Sequence, residues 1–312
     1  MVKEEFTLPS CDKKTQLHAV RWLPEEPPRA VLQISHGLAE HILRYEPLAE
    51  FLTGRGFAVV GNDHLGHGAS AAPGAPRLYF GPTGSWNTAV DDLYALRREE
   101  GARFPGLPWF LLGHSMGSFL ARTYLIRFPG TVDGAILMGT GQPAPALIAA
   151  GRAAVAAEIR RHGERSPSPA LAGRLFGAYN RPFAPTRTDF DWVASDPAAV
   201  DAYNADPLCG ETPSAGLLRE MTDGIAFITR QKNVEKMNKN TPVLFLSGSE
   251  DPVGERSKGV ERAYRSFQRA GVRDVSRKLY PGARHEILND ACRQAVMEDL
   301  AAWLEKRLPG GA

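Results

Sequence analysis

The stretch Trp109-Phe110-Leu111-Leu112-Gly113-His114-Ser115-Met116-Gly117 decides how this chain is read. Four apolar residues run into a Gly-x-Ser-x-Gly turn, and the helical pattern Ser118–Phe128 follows. The bare five-residue pattern is short and arises by chance. Its position between a strand and a helix gives it weight. A chain turning this sharply holds the serine in a strained conformation, and bulky side chains at either flank would clash. The serine oxygen is then presented at the sheet edge, near a helix N-terminus that favours developing negative charge. Ser115 is therefore the candidate nucleophile.

Outward from that turn, similar apolar runs recur at Ala30–Ser35, Phe57–Gly61, Gly134–Met138, Val243–Ser247 and Val275–Tyr280. Continuous apolar runs of this length suit strands buried on both faces. Helical patterns separate them, at Trp86–Glu100, Lys258–Ala270 and Asp290–Arg307. The alternation predicts an α/β fold: a mostly parallel central sheet flanked by helices on both sides. Between Gly141 and Lys239 no strong strand run occurs, and helical pieces such as Leu147–Arg161 and Leu217–Asn233 fill the space. That is too long for an ordinary loop. It predicts a core formed by residues 1–140 and 240–312 with a helical cap, residues 141–239, inserted between them. Plain crossover helices are the alternative. Leu147–Glu158 reads as a buried cap helix, a lipid-touching lid helix being the other reading. The tail Pro309–Ala312 is expected to fray.

A serine nucleophile needs a base and a group that orients it. In strand–turn–helix hydrolases the order is Ser, acid, His. Two acids, Glu250 and Asp251, follow the run Val243–Ser247, on the rim where open α/β sheets carry their sites. Asp251 is preferred because Pro252 fixes a turn that aims its carboxylate inward. His285 lies just past the last strand run and is the one histidine after Asp251. An imidazole held by a carboxylate takes up the serine proton near neutral pH. The oxyanion needs two N–H donors. Met116, next to the nucleophile, supplies one, and Leu38, in the loop after Ala30–Ser35, is the candidate for the other.

Composition excludes several classes. The charge is +2, from 37 basic and 35 acidic residues with no long basic cluster, so no nucleic-acid partner is expected. Cys11, Cys209 and Cys292 are widely spaced and form no Cys-x-x-Cys, which argues against a zinc site or a disulfide scaffold. No signal-peptide pattern and no apolar run of membrane-spanning length occurs; the nearest, Ala144–Ile159, is interrupted by Arg152. A cytoplasmic location is expected. The loop Asp63-His64-Leu65-Gly66-His67-Gly68 has ligand character but lacks a further ligand cluster, and reads as support for the oxyanion loop. No phosphate-binding loop is present, so no nucleotide is expected.

Taken together, His36-Gly37-Leu38-Ala39-Glu40-His41 with Arg44-Tyr45, Asp63 to Ser70, Gly113 to Gly117, Gly248 to Pro252 and Gly282 to Glu286 resemble the monoacylglycerol lipase and lysophospholipase group of α/β-hydrolases. Ser195-Asp196-Pro197 and Asp206-Pro207-Leu208 are similar to that family's cap. The resemblance implies an α/β-hydrolase fold and an esterase for one-chain lipids, cytosolic or loosely membrane-associated through the cap. It places Ser115, Asp251 and His285 as the triad, with Leu38 and Met116 as the oxyanion hole. No metal or organic cofactor is implied, and the oligomeric state is left open. A short-chain carboxylesterase, an amidase or proline iminopeptidase-like aminopeptidase, and a non-catalytic binding protein are the rival readings.

Overall fold

The computed structural model describes residues 1–71 and 74–310; Gly311 and Ala312, the end of the tail expected to fray, lie outside the described residues. Eight strands form one sheet. The N-terminal hairpin β1 (Val2–Pro9) and β2 (Gln16–Leu23) leads into β3 (Ala30–Ser35). Helix α1 (Glu46–Thr53), β4 (Phe57–Asn62), α2 (Ser85–Arg103) and β5 (Trp109–His114) follow, then α3 (Met116–Arg127) and β6 (Gly134–Met138). The sheet order is β1-β2-β4-β3-β5-β6 and then two later strands, β7 (Val243–Gly248) and β8 (Val275–Tyr280). From β4 onward neighbouring strands are parallel, with Val31 opposite Trp109 and Phe110 opposite Gly134. β1 pairs antiparallel with β2, and β2 with β4.

The continuous apolar runs work because helices cover both faces. Successive β5 residues go to opposite sides. Leu111 joins Leu120 of α3 and Leu93 of α2 in one core, while Phe110 and Leu112 join Leu48 of α1 and the last helix, α10 (Arg293–Glu305), in the other. All six residues of β3, β4, β5 and β7 are buried.

Two strands carry no signal in the sequence reading, and one expectation about a strand needs correcting. β1 and β2 carry no continuous apolar run. They form a hairpin in which β1 buries only Leu8, while β2 buries Leu17 and Ala19 on one face and Val20 and Trp22 on the other. Backbone pairing defines the edge strand β1, whereas in β2 the polar His18 and Arg21 interrupt the buried residues. β8 is not buried on both faces. It is the sheet's far edge, exposing Arg277 and Lys278, and charge on an edge strand deters further strand addition.

Between β6 and β7 the chain forms α4 (Pro145–His162), α5 (Pro169–Phe176), α6 (Pro197–Ala205), α7 (Ala215–Ile228) and the short α8 (Gln231–Val234). The helix expected over Leu217–Asn233 is thus two, broken where Arg230 takes an extended conformation. A buried helix over Leu147–Glu158 is also corrected. In α4 only Val155 is buried and Leu147 is 63% exposed, whereas α7, against which α4 packs, buries Leu217, Leu218 and Ile228. Helix α9 (Lys258–Arg269) covers the sheet between β7 and β8.

Candidate active site

The turn after β5 delivers Ser115 at the N-terminus of α3 with φ 52° and ψ −121°. A non-glycine residue held there is strained by about 1–3 kcal/mol. Its surroundings keep it in place: Ser115 N–H donates to Met138 O at 3.0 Å, and Ser118 N–H and Oγ donate to Ser115 O at 2.9 and 2.6 Å. The flanking glycines have a steric cause. A Cβ on Gly113 would lie 2.4 Å from Gly117 O, and one on Gly117 would lie 2.0 Å from Ser35 O. The loop after β3 approaches equally closely, since a Cβ on Gly37 would sit 3.1 Å from Ser115 Cβ.

The loops after β7 and β8 bring Asp251 and His285 together. His285 Nδ1 lies 3.0 Å from Asp251 Oδ1, with the carboxylate fully buried. Asp251 also accepts from Val253 N–H at 2.9 Å and from Ser247 Oγ at 3.3 Å, so its orientation is fixed on three sides. Glu250, the other acid considered, pairs instead with Arg256 at 2.5 Å. Ser115, His285, Leu38 and Met116 all line one cavity of about 590 Å³, whose walls include Phe119, Phe176 and Ile225.

In the cavity wall lies a buried charged network whose pairing sequence reasoning missed. Glu40 accepts from Gly37 N–H at 2.5 Å, from Tyr45 Oη at 3.0 Å and from Arg44 Nη1 at 2.9 Å. His114 Nδ1 lies 3.1 Å from the same carboxylate. Burial alone would raise the Glu40 carboxyl, but His114 and Arg44 together hold it well below the usual range. Burial would lower His114, and Glu40 reverses that and raises it. Arg44 also spans Glu286, with contacts of 2.8 and 2.7 Å. The motif residues Glu40, Arg44 and Glu286 were visible as types. Nothing in the sequence revealed that Arg44 bridges two acids so far apart along the chain.

The Asp63–Gly68 loop is held by its own bonds. Asp63 accepts from Ile42 N–H and Ala69 N–H at 2.8 Å each and lies 2.9 Å from His18 Nδ1. His64 N–H donates to His36 Nε2 at 2.9 Å. His36, His64 and His67 form a buried cluster beneath the loop that carries Leu38. Burial pushes His36 down to about 3, His67 to about 4, and His64 well below its ordinary value. Among the described residues, the group of ligand types close enough to hold a metal ion is elsewhere, at His41, Asp206 and Cys209, where His41 Nε2 lies 2.8 Å from Asp206.

The chain is similar to known proteins along most of its length. The chain is 30% identical to a monoacylglycerol lipase of Mycolicibacterium smegmatis over 92% of both chains. It is 29% identical to the human monoglyceride lipase, over 92% of this chain and 86% of that one. The crystal structure of a thermostable carboxyl esterase from Bacillus coagulans superposes with a TM-score of 0.90 at 29% identity, covering 97% of this chain and 98% of the other. Residues 26–291 match the Hydrolase_4 family, described as serine aminopeptidase, S33. With that match spanning most of its length, the chain belongs to the Hydrolase_4 family of α/β-hydrolases.

Proposed function

We propose that this protein is a carboxylic ester hydrolase acting on one-chain lipid esters, monoacylglycerols or lysophospholipids, through an acyl-enzyme on Ser115. The observation that carries the reading is the buried Asp251–His285 contact of 3.0 Å behind a cavity shared with Ser115. His285 removes the Ser115 proton as the serine oxygen attacks the ester carbonyl. Asp251 holds the imidazole tautomer and stabilises the imidazolium that forms. Leu38 and Met116 N–H groups receive the oxyanion, a role that stabilises charge only as it develops. The alcohol leaves with the proton from His285, and water then releases the acid by the same route in reverse.

Residues 141–239 serve in this reading as a cap over the acyl chain, since Phe176 and Ile225 from that segment line the cavity. The exposed Leu147 and alanines of α4 suit brief contact with a lipid surface. None of the described helices is long and apolar enough to cross a membrane. Cys11, Cys209 and Cys292 are free thiols, which fits a reducing cytoplasm. The names of the lipase relatives support ester over amide turnover, while the family description keeps an aminopeptidase as the second reading.

A series of p-nitrophenyl and monoacylglycerol esters of increasing acyl length tests this directly. Preference for medium or long chains is expected. An optimum at short chains replaces the lipase reading with a short-chain esterase. Faster turnover of aminoacyl amides than of esters favours the aminopeptidase.

A further inference from the structure

His285 is held at more than its Asp251 contact. One hydrogen bond at Nδ1 fixes a point on the ring but leaves the imidazole free to swing about that point. Two flat side chains close the remaining freedom. The His114 ring lies 4.8 Å from the His285 ring, centroid to centroid, and the Trp192 indole lies 5.1 Å away, each tilted by about 40° (42° and 38°). Gly139 closes an edge: a Cβ there would sit 3.0 Å from His285 Cε1. His114 belongs to the core sheet, but Trp192 comes from the helical segment between β6 and β7.

That segment is tied to the loop carrying His285 by its own backbone. Glu286 N–H donates to Val193 O at 2.6 Å. The Arg284 guanidinium donates to Asp191 O and, at 3.0 Å, to Ala194 O. Ser195 N–H donates to Asp290 Oδ1 at 3.0 Å, while Arg284 N–H donates to Asp290 Oδ2 at 2.9 Å. The Trp192 backbone N–H donates to Asn180 Oδ1 at 2.8 Å, and the Tyr179 ring packs against the indole at 5.1 Å. Tyr179 packs in turn against Phe176 of α5, at 5.8 Å.

We propose that Trp192 is a positioning residue for His285: its indole face holds the imidazole in line with Ser115 and stabilises it while it carries the extra proton. The inference rests on the reading of His285 as base. An indole face attracts a neighbouring cation, most strongly when water is excluded. Trp192 therefore acts when His285 becomes an imidazolium, during each of the two acyl-transfer steps. The same contact makes the base sensitive to where α5 and the turn after it sit.

The test compares Trp192→Phe, Trp192→Leu and Trp192→Ala with wild type, using steady-state ester hydrolysis and the rate of Ser115 labelling by a fluorophosphonate. Leucine keeps apolar bulk but offers no aromatic face. The leucine and alanine variants are expected to lose at least about tenfold in kcat and in labelling rate, with KM within about threefold. Phenylalanine is expected to recover most of the loss. Proton NMR of the imidazole proton shared with Asp251 reads the same effect without substrate: a resonance sharp in wild type broadens in Trp192→Ala. Full kcat in Trp192→Leu, a loss confined to KM, or an unchanged imidazole resonance in Trp192→Ala overturns the proposal. A folded wild type that neither turns over esters nor takes the label overturns the acyl-transfer reading itself, a separate failure.

Discussion

Asp251 Oδ1 sits 3.0 Å from His285 Nδ1 although the two residues approach from loops after different strands, β7 and β8. The carboxylate is fully buried, and it also accepts from Val253 N–H and Ser247 Oγ. It is therefore oriented before substrate arrives. Asp251→Asn keeps the shape but presents an amide that favours the wrong imidazole tautomer. Its kcat for a p-nitrophenyl ester is expected to fall by a factor on the order of 10³–10⁴ while the fold melts as in wild type. A loss below about tenfold would remove Asp251 from the orienting role.

Arg44 is the cation between Glu40 and Glu286, and all three side chains are almost wholly buried. Removing one partner of a buried ion pair leaves charge uncompensated, at a cost of about 3–5 kcal/mol. Arg44→Met keeps the apolar stem and is expected to lose that much stability in urea unfolding. A change under about 1 kcal/mol would mean that the two acids find other partners or take up protons.

Three buried histidines weaken the fold as pH falls. His36, His64 and His67 are depressed by burial, to about 3 and about 4 for the first and last. In the unfolded chain each titrates near its ordinary value of about 6.5. Their contribution is therefore present above that value and is lost progressively as pH falls toward 4 and 3. Asp92 works in the opposite direction, as do His18 and His114, raised by their carboxylate partners Asp63 and Glu40. Burial pushes Asp92 up to about 6 even though Cys11 N–H and Ser10 Oγ donate to it, so its contribution grows as pH falls from about 6 toward 4. The slope of urea unfolding free energy against pH, measured from 7.5 to 4.5, separates these contributions. His67→Phe should lower that slope by about one proton relative to wild type, and Asp92→Asn should raise it. An unchanged slope in a folded His67→Phe would contradict the neutral, buried histidine cluster.

The sequence made legible what burial on both faces imposes. The runs at Phe57, Trp109 and Val243 had to be central strands, and Gly113 and Gly117 had to flank a sharp turn, because any side chain there meets backbone. β1 stayed hidden because an edge strand is set by backbone pairing, which leaves only a weak pattern, and β2 because His18 and Arg21 break up its buried residues. The exposure of α4 was hidden for another reason. Alanine is compatible with a buried or an open helix face, and only the position of α7 decides between them. At the site, Ser115, Asp251 and His285 were nominated by order and strand ends, and the fold brings Asp251 and His285 into contact and puts Ser115 and His285 on one cavity. Trp192 carried no signal, since its position against His285 depends on long-range contacts of the segment after α5.

The central claim is that Ser115 forms the acyl-enzyme, and the most direct measurement is hydrolysis of medium-chain esters by wild type and Ser115→Ala at matched folded concentration. The account predicts that the variant keeps its fold and loses turnover by a factor on the order of 10³ or more. Turnover that survives in Ser115→Ala would contradict the assignment of the nucleophile and the mechanism built on it.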